Sequence, residues 1–170
     1  MWHGCVARTI RASRALIAAL GGILALTAGG MAEEACSPDV VDLRTTSGSL
    51  RFQVEVMDDD AERARGLMER EALSRFSGML FVYPQAGPVA FWMRNTLIPL
   101  DMLFFDSTGR LEQVHANARP LDETPIFGGT NIRYVLEING GMAEDLGIVP
   151  GTVLRHPAIE QSDAGWPCAG

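Results

Sequence analysis

The apolar residues of this chain come in short runs, and each run is closed by residues that form turns. Between residues 50 and 56, Leu, Phe and Val alternate with Arg, Gln and Glu, a period of two that predicts a strand buried on one face. Prolines and glycines separate this strand from the apolar runs that follow, for example in residues 84–88 and 106–109. The pattern predicts a fold built mainly of short strands.

The other predicted strands complete a small sheet. They lie at residues 40–44, 78–83, 89–93, 100–105, 111–115, 133–138 and 152–155. Residues 117–130, which carry two prolines and adjacent glycines, are predicted to be an irregular surface segment. Seven or eight short strands predict a compact sandwich or a partly closed barrel.

Two short helices are predicted between the strands. Asp59 stands three residues before Glu62, a spacing that fits a capping box and begins a helix that ends near Gly66. Residues 142–146 make one or two further helical turns, which stop at Gly147.

The N-terminal segment has the form of a secretory signal. Arg8, Arg11 and Arg14 lead into the uncharged stretch 15–28, which is shorter than the roughly 20 apolar residues of a membrane span. Cleavage is predicted after Ala32, with Ala28 as a second possible cleavage site and a retained anchor as the alternative. The predicted organisation is therefore a signal peptide at 1–32, a single mainly β domain at 33–156 and a C-terminal tail at 157–170. The expected location is the periplasm or the medium, with no stable membrane span after cleavage.

Charge and cysteine content agree with an exported protein. The 14 basic residues are all Arg against 21 acidic residues, and the net charge of -7 disfavours a nucleic-acid surface. Cys36 and Cys168 stand near the two ends of the predicted mature chain. We predict that they form a disulfide in an oxidising compartment; the alternative is two thiols in flexible tails.

Several short motifs resemble one known family. They are Arg-Gly-Leu-Met at 65–68, Gly-Met-Leu-Phe at 78–81, Phe-Trp-Met-Arg-Asn-Thr at 91–96, Pro-Leu-Asp at 99–101, Tyr-Val-Leu-Glu at 134–137 and Leu-Gly-Ile-Val-Pro-Gly at 146–151. Their order and spacing resemble the bacterial and archaeal family called domain of unknown function 192. The chain departs from the usual pattern in having Arg94 for Lys and Thr152 for an acidic residue. The resemblance implies a compact, mainly β, often exported domain and implies no reaction.

A strand through residues 91–96 would present a polar face. Trp92, Arg94 and Thr96 would then point to one side, and Asn95 to the other with the core residues. An aromatic ring beside a guanidinium and a hydroxyl suits a sugar or a carboxylate-bearing ligand. Alternatively, Trp92 covers the second side of a sandwich and Arg94 pairs with a structural acid.

Asp101 lies in a very apolar run and therefore needs a hydrogen-bond or ion-pair partner. Arg94, Arg65 and Asn95 are the predicted partners, and a structural ion pair is one interpretation. In the other, Asp101 and Glu137 converge as acid and base at one cleft, where the arginines or Asn95 orient a substrate.

Three functions remain open, and whether the chain is an enzyme is one of the open points. The first is a binding module for a small molecule, a glycan or an envelope protein. Its candidate ligand-binding residues are Arg65, Trp92, Arg94, Asn95, Thr96 and Asp101. The second is a periplasmic hydrolase or lyase that uses Asp101 and Glu137, and the third is a structural partner in an envelope complex. No cofactor is expected, and no metal site is predicted because the histidines and cysteines lack ligand spacing.

Overall fold

The computed structural model describes Met1 and residues 35–168, so the predicted signal peptide and its cleavage after Ala32 lie outside the described residues, apart from Met1. The described part contains seven strands and two helices. In chain order they are β1 (Val40–Thr45), β2 (Gly48–Met57), α1 (Asp60–Arg65), β3 (Ser77–Phe91), β4 (Leu100–Phe105), β5 (Leu111–Ala118), β6 (Ile126–Asn139), α2 (Met142–Asp145) and β7 (Val153–Arg155).

All seven strands belong to one sheet, in the order β5-β4-β6-β3-β2-β1-β7. Neighbours run antiparallel except β2 and β3, which run parallel because the chain crosses over through α1 between them. The two edge strands approach each other, since the Leu111 amide donates to the Thr152 carbonyl at 2.8 Å and Arg110 forms a bridge with Val153. The sheet is therefore a curled half-barrel, which confirms the predicted mainly β class and its partly closed form.

The ribbon formed by β3 and β6 folds back on itself. A straight strand of ten residues spans about 33 Å, yet the rings of Phe81 and Phe91 on β3 lie only 5.0 Å apart. Register shifts between Val82 and Ala90 produce this bend. The prediction of separate strands at residues 78–83 and 89–93 was wrong. Bulges accommodate Pro84 and Pro88 within the single strand β3. Residues 126–130, predicted to be irregular, belong to β6 and pair with the far end of β3.

Alternation along the strands divides the core into two parts. The tail-side core contains Phe52, Leu103 and Tyr134, and Ile159 from the C-terminal segment packs into it. The α1-side core lies on the other face of the sheet and contains Leu67, Phe81, Met102, Phe104 and Val135. Adjacent residues of β4 and β6 thus face different cores.

The predicted disulfide is present. Cys36 and Cys168 are bonded with their Cα atoms 5.5 Å apart, and they stand 132 positions apart in the chain. Trp166 supports this end of the chain, because the guanidinium groups of Arg44 and Arg155 lie 4.8 and 4.4 Å from its ring centre. The two termini of the described domain are therefore tied to each other, not held in free tails.

Both helices occur where they were predicted. The Asp59 side chain accepts a hydrogen bond from the Glu62 amide at 2.8 Å and caps α1, which ends at Gly66. Within the described residues, no helix has the length and apolarity needed to cross a membrane.

Candidate ligand-binding site

A cavity of about 290 Å³ lies on the α1-side face, between α1 with the turn after it and the folded end of β3. We call it the α1 cavity. Its walls are aromatic, from Phe81, Tyr83, Phe91 and Trp92. Its polar lining comes from Arg63, Arg65, Tyr83, Thr96 and Glu137. Aromatic walls with a few polar groups are typical of small-molecule sites.

Local sequence explains how these side chains meet. Phe81 and Tyr83 are two residues apart on β3 and share a face, while the fold in the strand returns Phe91 and Trp92 to that face. Gly66 has φ of +50°, and a Cβ there would lie 3.2 Å from the Phe81 ring. A glycine therefore allows the turn after α1 to approach the cavity wall closely.

Glu137 is the unusual residue of the site. It is only 4% exposed, and its neighbours across the strands are Met79 on β3 and Met102 on β4. Its carboxyl group has no hydrogen-bond or ion-pair partner among the residues that the structure describes. Burial raises the pKa of Glu137 to about 8, so the group is mainly a neutral acid at pH 7. The carboxyl oxygens keep a small accessible surface in the cavity, since the one fully buried side-chain polar atom without a partner among the described residues is Nε of Arg133.

The other polar groups differ in how fully they are engaged. Arg63 donates to the Val82 carbonyl at 2.8 Å, pairs with Asp60 and lies over the Tyr83 ring at 5.4 Å. Burial raises the pKa of Tyr83, and the charge of Glu137 raises it further while Arg63 lowers it. By contrast, the guanidinium group of the exposed Arg65 has no ion pair or hydrogen bond within the described part of the chain. The Arg65 guanidinium, the Glu137 carboxyl and the Tyr83 hydroxyl thus make no hydrogen bond to the described residues and are available to a ligand.

The predicted strand through residues 91–96 is only partly correct. Strand β3 ends at Phe91, and the next residues form a turn in which the Thr96 amide donates to the Met93 carbonyl at 3.1 Å. Asn95 adopts a left-handed φ of +53°, which breaks the alternation on which the predicted face depended.

This turn nevertheless brings part of the predicted set to the cavity. Trp92, 46% exposed, and the buried Thr96 both line it, so Trp92 is not enclosed by a second sheet. Arg94 lies outside the lining and stacks over Trp92, with its guanidinium 5.6 Å from the ring centre. Asn95 is exposed and also outside the lining, and its carbonyl accepts from the Glu69 amide.

Asp101 belongs to a different environment. Its carboxylate accepts hydrogen bonds from the backbone amides of Asn117 at 2.8 Å, Gly141 at 2.9 Å and Ala143 at 2.7 Å. The predicted pairing with Arg94, Arg65 or Asn95 was therefore wrong. Backbone amides at a bulge in β5 and at the start of α2 supply the partners instead.

Asp101 and Glu137 do not converge. In the β4–β6 register, Asp101 pairs with Ile138 and Met102 pairs with Glu137. Since successive side chains alternate between faces, Asp101 points to the tail-side core and Glu137 to the α1-side core. A two-carboxylate acid and base at one cleft is incompatible with this geometry.

Sequence reasoning missed the aromatic walls Phe81, Tyr83 and Phe91 and the contribution of Arg63. The one available signal was Glu137 itself, an acid inside the apolar run of residues 134–138. Within the described residues, no three His, Cys, Asp or Glu side chains are grouped so that they could hold a metal ion.

The fold and the site define a small half-barrel domain with an aromatic cavity over a buried acid. The chain belongs to the family DUF192, described as an uncharacterized ACR, whose profile matches residues 42–156.

Solved structures agree with this assignment. The chain is 43% identical, with a TM-score of 0.67, to a protein of unknown function from Novosphingobium aromaticivorans; the match covers 68% of this chain and 82% of that one. It is 40% identical, again with a TM-score of 0.67, to a Sinorhizobium meliloti protein proposed to be a transcription regulator, over 72% of this chain and 96% of that one. No curated protein matches.

Proposed function

We propose that this protein is an exported binding protein for a small organic molecule, and that the α1 cavity is its binding site. The observation that carries the proposal is the buried Glu137 carboxyl, which lines an aromatic cavity and has no partner among the described residues. A bound molecule can hydrogen-bond to this carboxyl, which no other described group engages. Binding therefore gives a physical reason for an arrangement that weakens the folded domain.

The cavity walls suit a ligand with a flat or ring-shaped part. Phe91 and Trp92 offer ring surfaces, and Trp92 is exposed enough to contact a ligand from solvent. Arg65 at the rim can donate two parallel hydrogen bonds to an anionic group. A sugar or another small ring compound fits this chemistry, and Asp101 takes no part because it faces the tail-side core.

Export is proposed on two grounds. The N-terminal arginines followed by a short apolar stretch have the form of a signal peptide. The disulfide between Cys36 and Cys168 is typical of proteins that fold in an oxidising compartment such as the periplasm. The acidic net charge of -7 gives no support to DNA binding, so the regulator description of the Sinorhizobium protein is not transferred.

The proposal is tested by thermal shift and NMR titration of the purified protein. The panel contains sugars, peptidoglycan fragments, organic acids, amino acids and nucleotides. A ligand at 100 times its Kd should stabilise the protein by about 2.7 kcal/mol. Trp92→Ala and Glu137→Gln should each abolish the shift, whereas Phe127→Ala, which truncates an exposed aromatic residue outside the α1 cavity, should retain it. A panel without any effect, or a shift retained in both cavity variants, would refute the proposal.

A further inference from the structure

We infer that the α1 cavity takes a small zwitterion, with an ammonium group at the floor beside Glu137 and an anionic group at the rim beside Arg65. This inference deepens the proposed function and rests on it. The charge pattern is that of an amino acid or of another small molecule with one cationic and one anionic end. Four observations support it: the ring walls, the unpartnered acid, the available arginine, and the burial of Glu137 beside the exposure of Arg65.

The floor has the chemistry of an ammonium site. Phe81, Tyr83, Phe91 and Trp92 line the cavity, and the faces of aromatic rings attract cations, as the guanidinium groups of Arg63 over Tyr83 and of Arg94 over Trp92 show. Glu137 adds an anionic partner once its proton leaves, and an ammonium group brings three donors for its two oxygens. A neutral hydroxyl could hydrogen-bond to this acid, but it would make no use of the rings as a cation site.

The rim has the opposite preference. Arg65 is exposed, lines the cavity and has no partner among the described residues, so its donors can bind a carboxylate or a phosphate. Arg63 cannot take this role because Val82, Asp60 and the Tyr83 ring already engage it.

The arrangement also fixes the direction of the ligand. An ammonium group at the floor would let the Glu137 carboxyl ionise and pair with it, whereas an anionic group there could be accepted only by the neutral acid. The titratable side chains that line the cavity are Arg63, Arg65, Tyr83 and Glu137. Glu137 is the one carboxylic acid among these four. The single anionic partner therefore lies deep, and the unpaired cationic partner lies at the opening.

The test is isothermal titration calorimetry of the purified protein with matched sets of compounds. Each zwitterion is compared with its analogue lacking the ammonium group and its analogue lacking the acid, as with phenylalanine, 3-phenylpropionate and phenethylamine. The sets include the twenty standard amino acids, D-alanine, glycine betaine and phosphocholine, together with neutral sugars. We expect at least one zwitterion to bind about tenfold or more tightly than both of its truncated analogues.

Proton release identifies the floor group. With a pKa of about 8, Glu137 carries about 0.9 proton at pH 7, and ionic binding should release most of it into the buffer. The heat of binding at pH 7 should therefore depend on the ionisation enthalpy of the buffer in the wild type, and Glu137→Gln should give no heat of binding. Arg65→Gln should remove the preference for the zwitterion over the simple amine. Arg110→Gln, a change at an exposed arginine outside the cavity, should not.

The outcomes separate the two proposals. Cavity-dependent binding of a neutral sugar or of a plain carboxylic acid, with no preference for any zwitterion or no proton release, overturns the zwitterion inference and leaves the proposed function standing. Absence of cavity-dependent binding for every compound overturns both.

Discussion

Stability should fall as the pH rises, because of one side chain. Glu137 has its ordinary pKa of 4.5 when the chain is unfolded and a pKa of about 8 when it is buried. Between these values the folded state holds a proton that the unfolded state has lost. By proton linkage, a group whose pKa is raised on folding lowers the free energy of unfolding as the pH increases through this window.

The size of the effect follows from the two pKa values. Each pH unit between them changes the free energy of unfolding by about 1.4 kcal/mol. The whole window from 4.5 to about 8 therefore corresponds to about 5 kcal/mol, of which about 4 kcal/mol falls between pH 5 and pH 9. Glu137→Gln removes the titrating group and keeps the shape of the side chain. The variant should exceed the wild type in stability by less than about 1 kcal/mol at pH 5 and by about 5 kcal/mol at pH 9, a change of about 4 kcal/mol across this range.

The assay is urea unfolding of both proteins at pH 5, 6, 7, 8 and 9, with the disulfide intact. His156 acts in the opposite direction, because burial lowers its pKa and the stability of its neutral form is lost as the pH falls below 6.5. Both proteins contain His156, so its contribution cancels in the difference between them. A difference that stays constant from pH 5 to pH 9 would refute the reasoning and would mean that the Glu137 carboxyl is solvated or ionised in the folded protein.

Three further predictions concern the stability of the folded domain. Asp101→Asn should lower the free energy of unfolding by about 3 kcal/mol, because a charged acceptor of three backbone amides is lost; a loss below about 1 kcal/mol in urea would contradict this. Gly128→Ala should lower the Tm by about 10 °C, because its Cβ would overlap the Phe104 ring, whereas Gly87→Ala, with no atom within 4 Å, should change the Tm by less than about 3 °C. Equal melting shifts would argue against the overlap. Reducing the disulfide, which closes a separation of 132 positions, should cost about 4 to 5 kcal/mol in urea unfolding. If peptide mapping finds two free thiols in the purified protein, there is no disulfide to reduce and this prediction fails.

Local signals were sufficient for much of the fold. Strand β4 occupies the predicted residues 100–105, and the Asp59 cap begins α1 where the spacing indicated. The fold in the β3–β6 ribbon could not be predicted in this way. Pro84 and Pro88 signal a turn because proline lacks a backbone donor, and only the pairing with β6 shows that bulges carry the strand through them.

Local sequence also could not predict the environments of the two buried acids. Asp101 and Glu137 are both acids within apolar runs, so the sequence gives them the same local signal. Their environments differ because the donors for Asp101 come from Asn117, Gly141 and Ala143, which are 16 to 42 positions away in the chain. Which face of a strand meets such donors is a property of the whole sheet.

The contrast between these two acids also supports a functional role for Glu137. The fold can satisfy a fully buried carboxylate, as it does for Asp101 with three backbone amides. On the other face, Met79 and Met102 flank Glu137 across the strands, and its carboxyl lines a cavity without a partner among the described residues. Methionine or leucine at position 137 would pack there without the titration cost of about 3 kcal/mol that the acid imposes at pH 7. A carboxyl that weakens the folded domain and lines a cavity is better explained by binding than by packing.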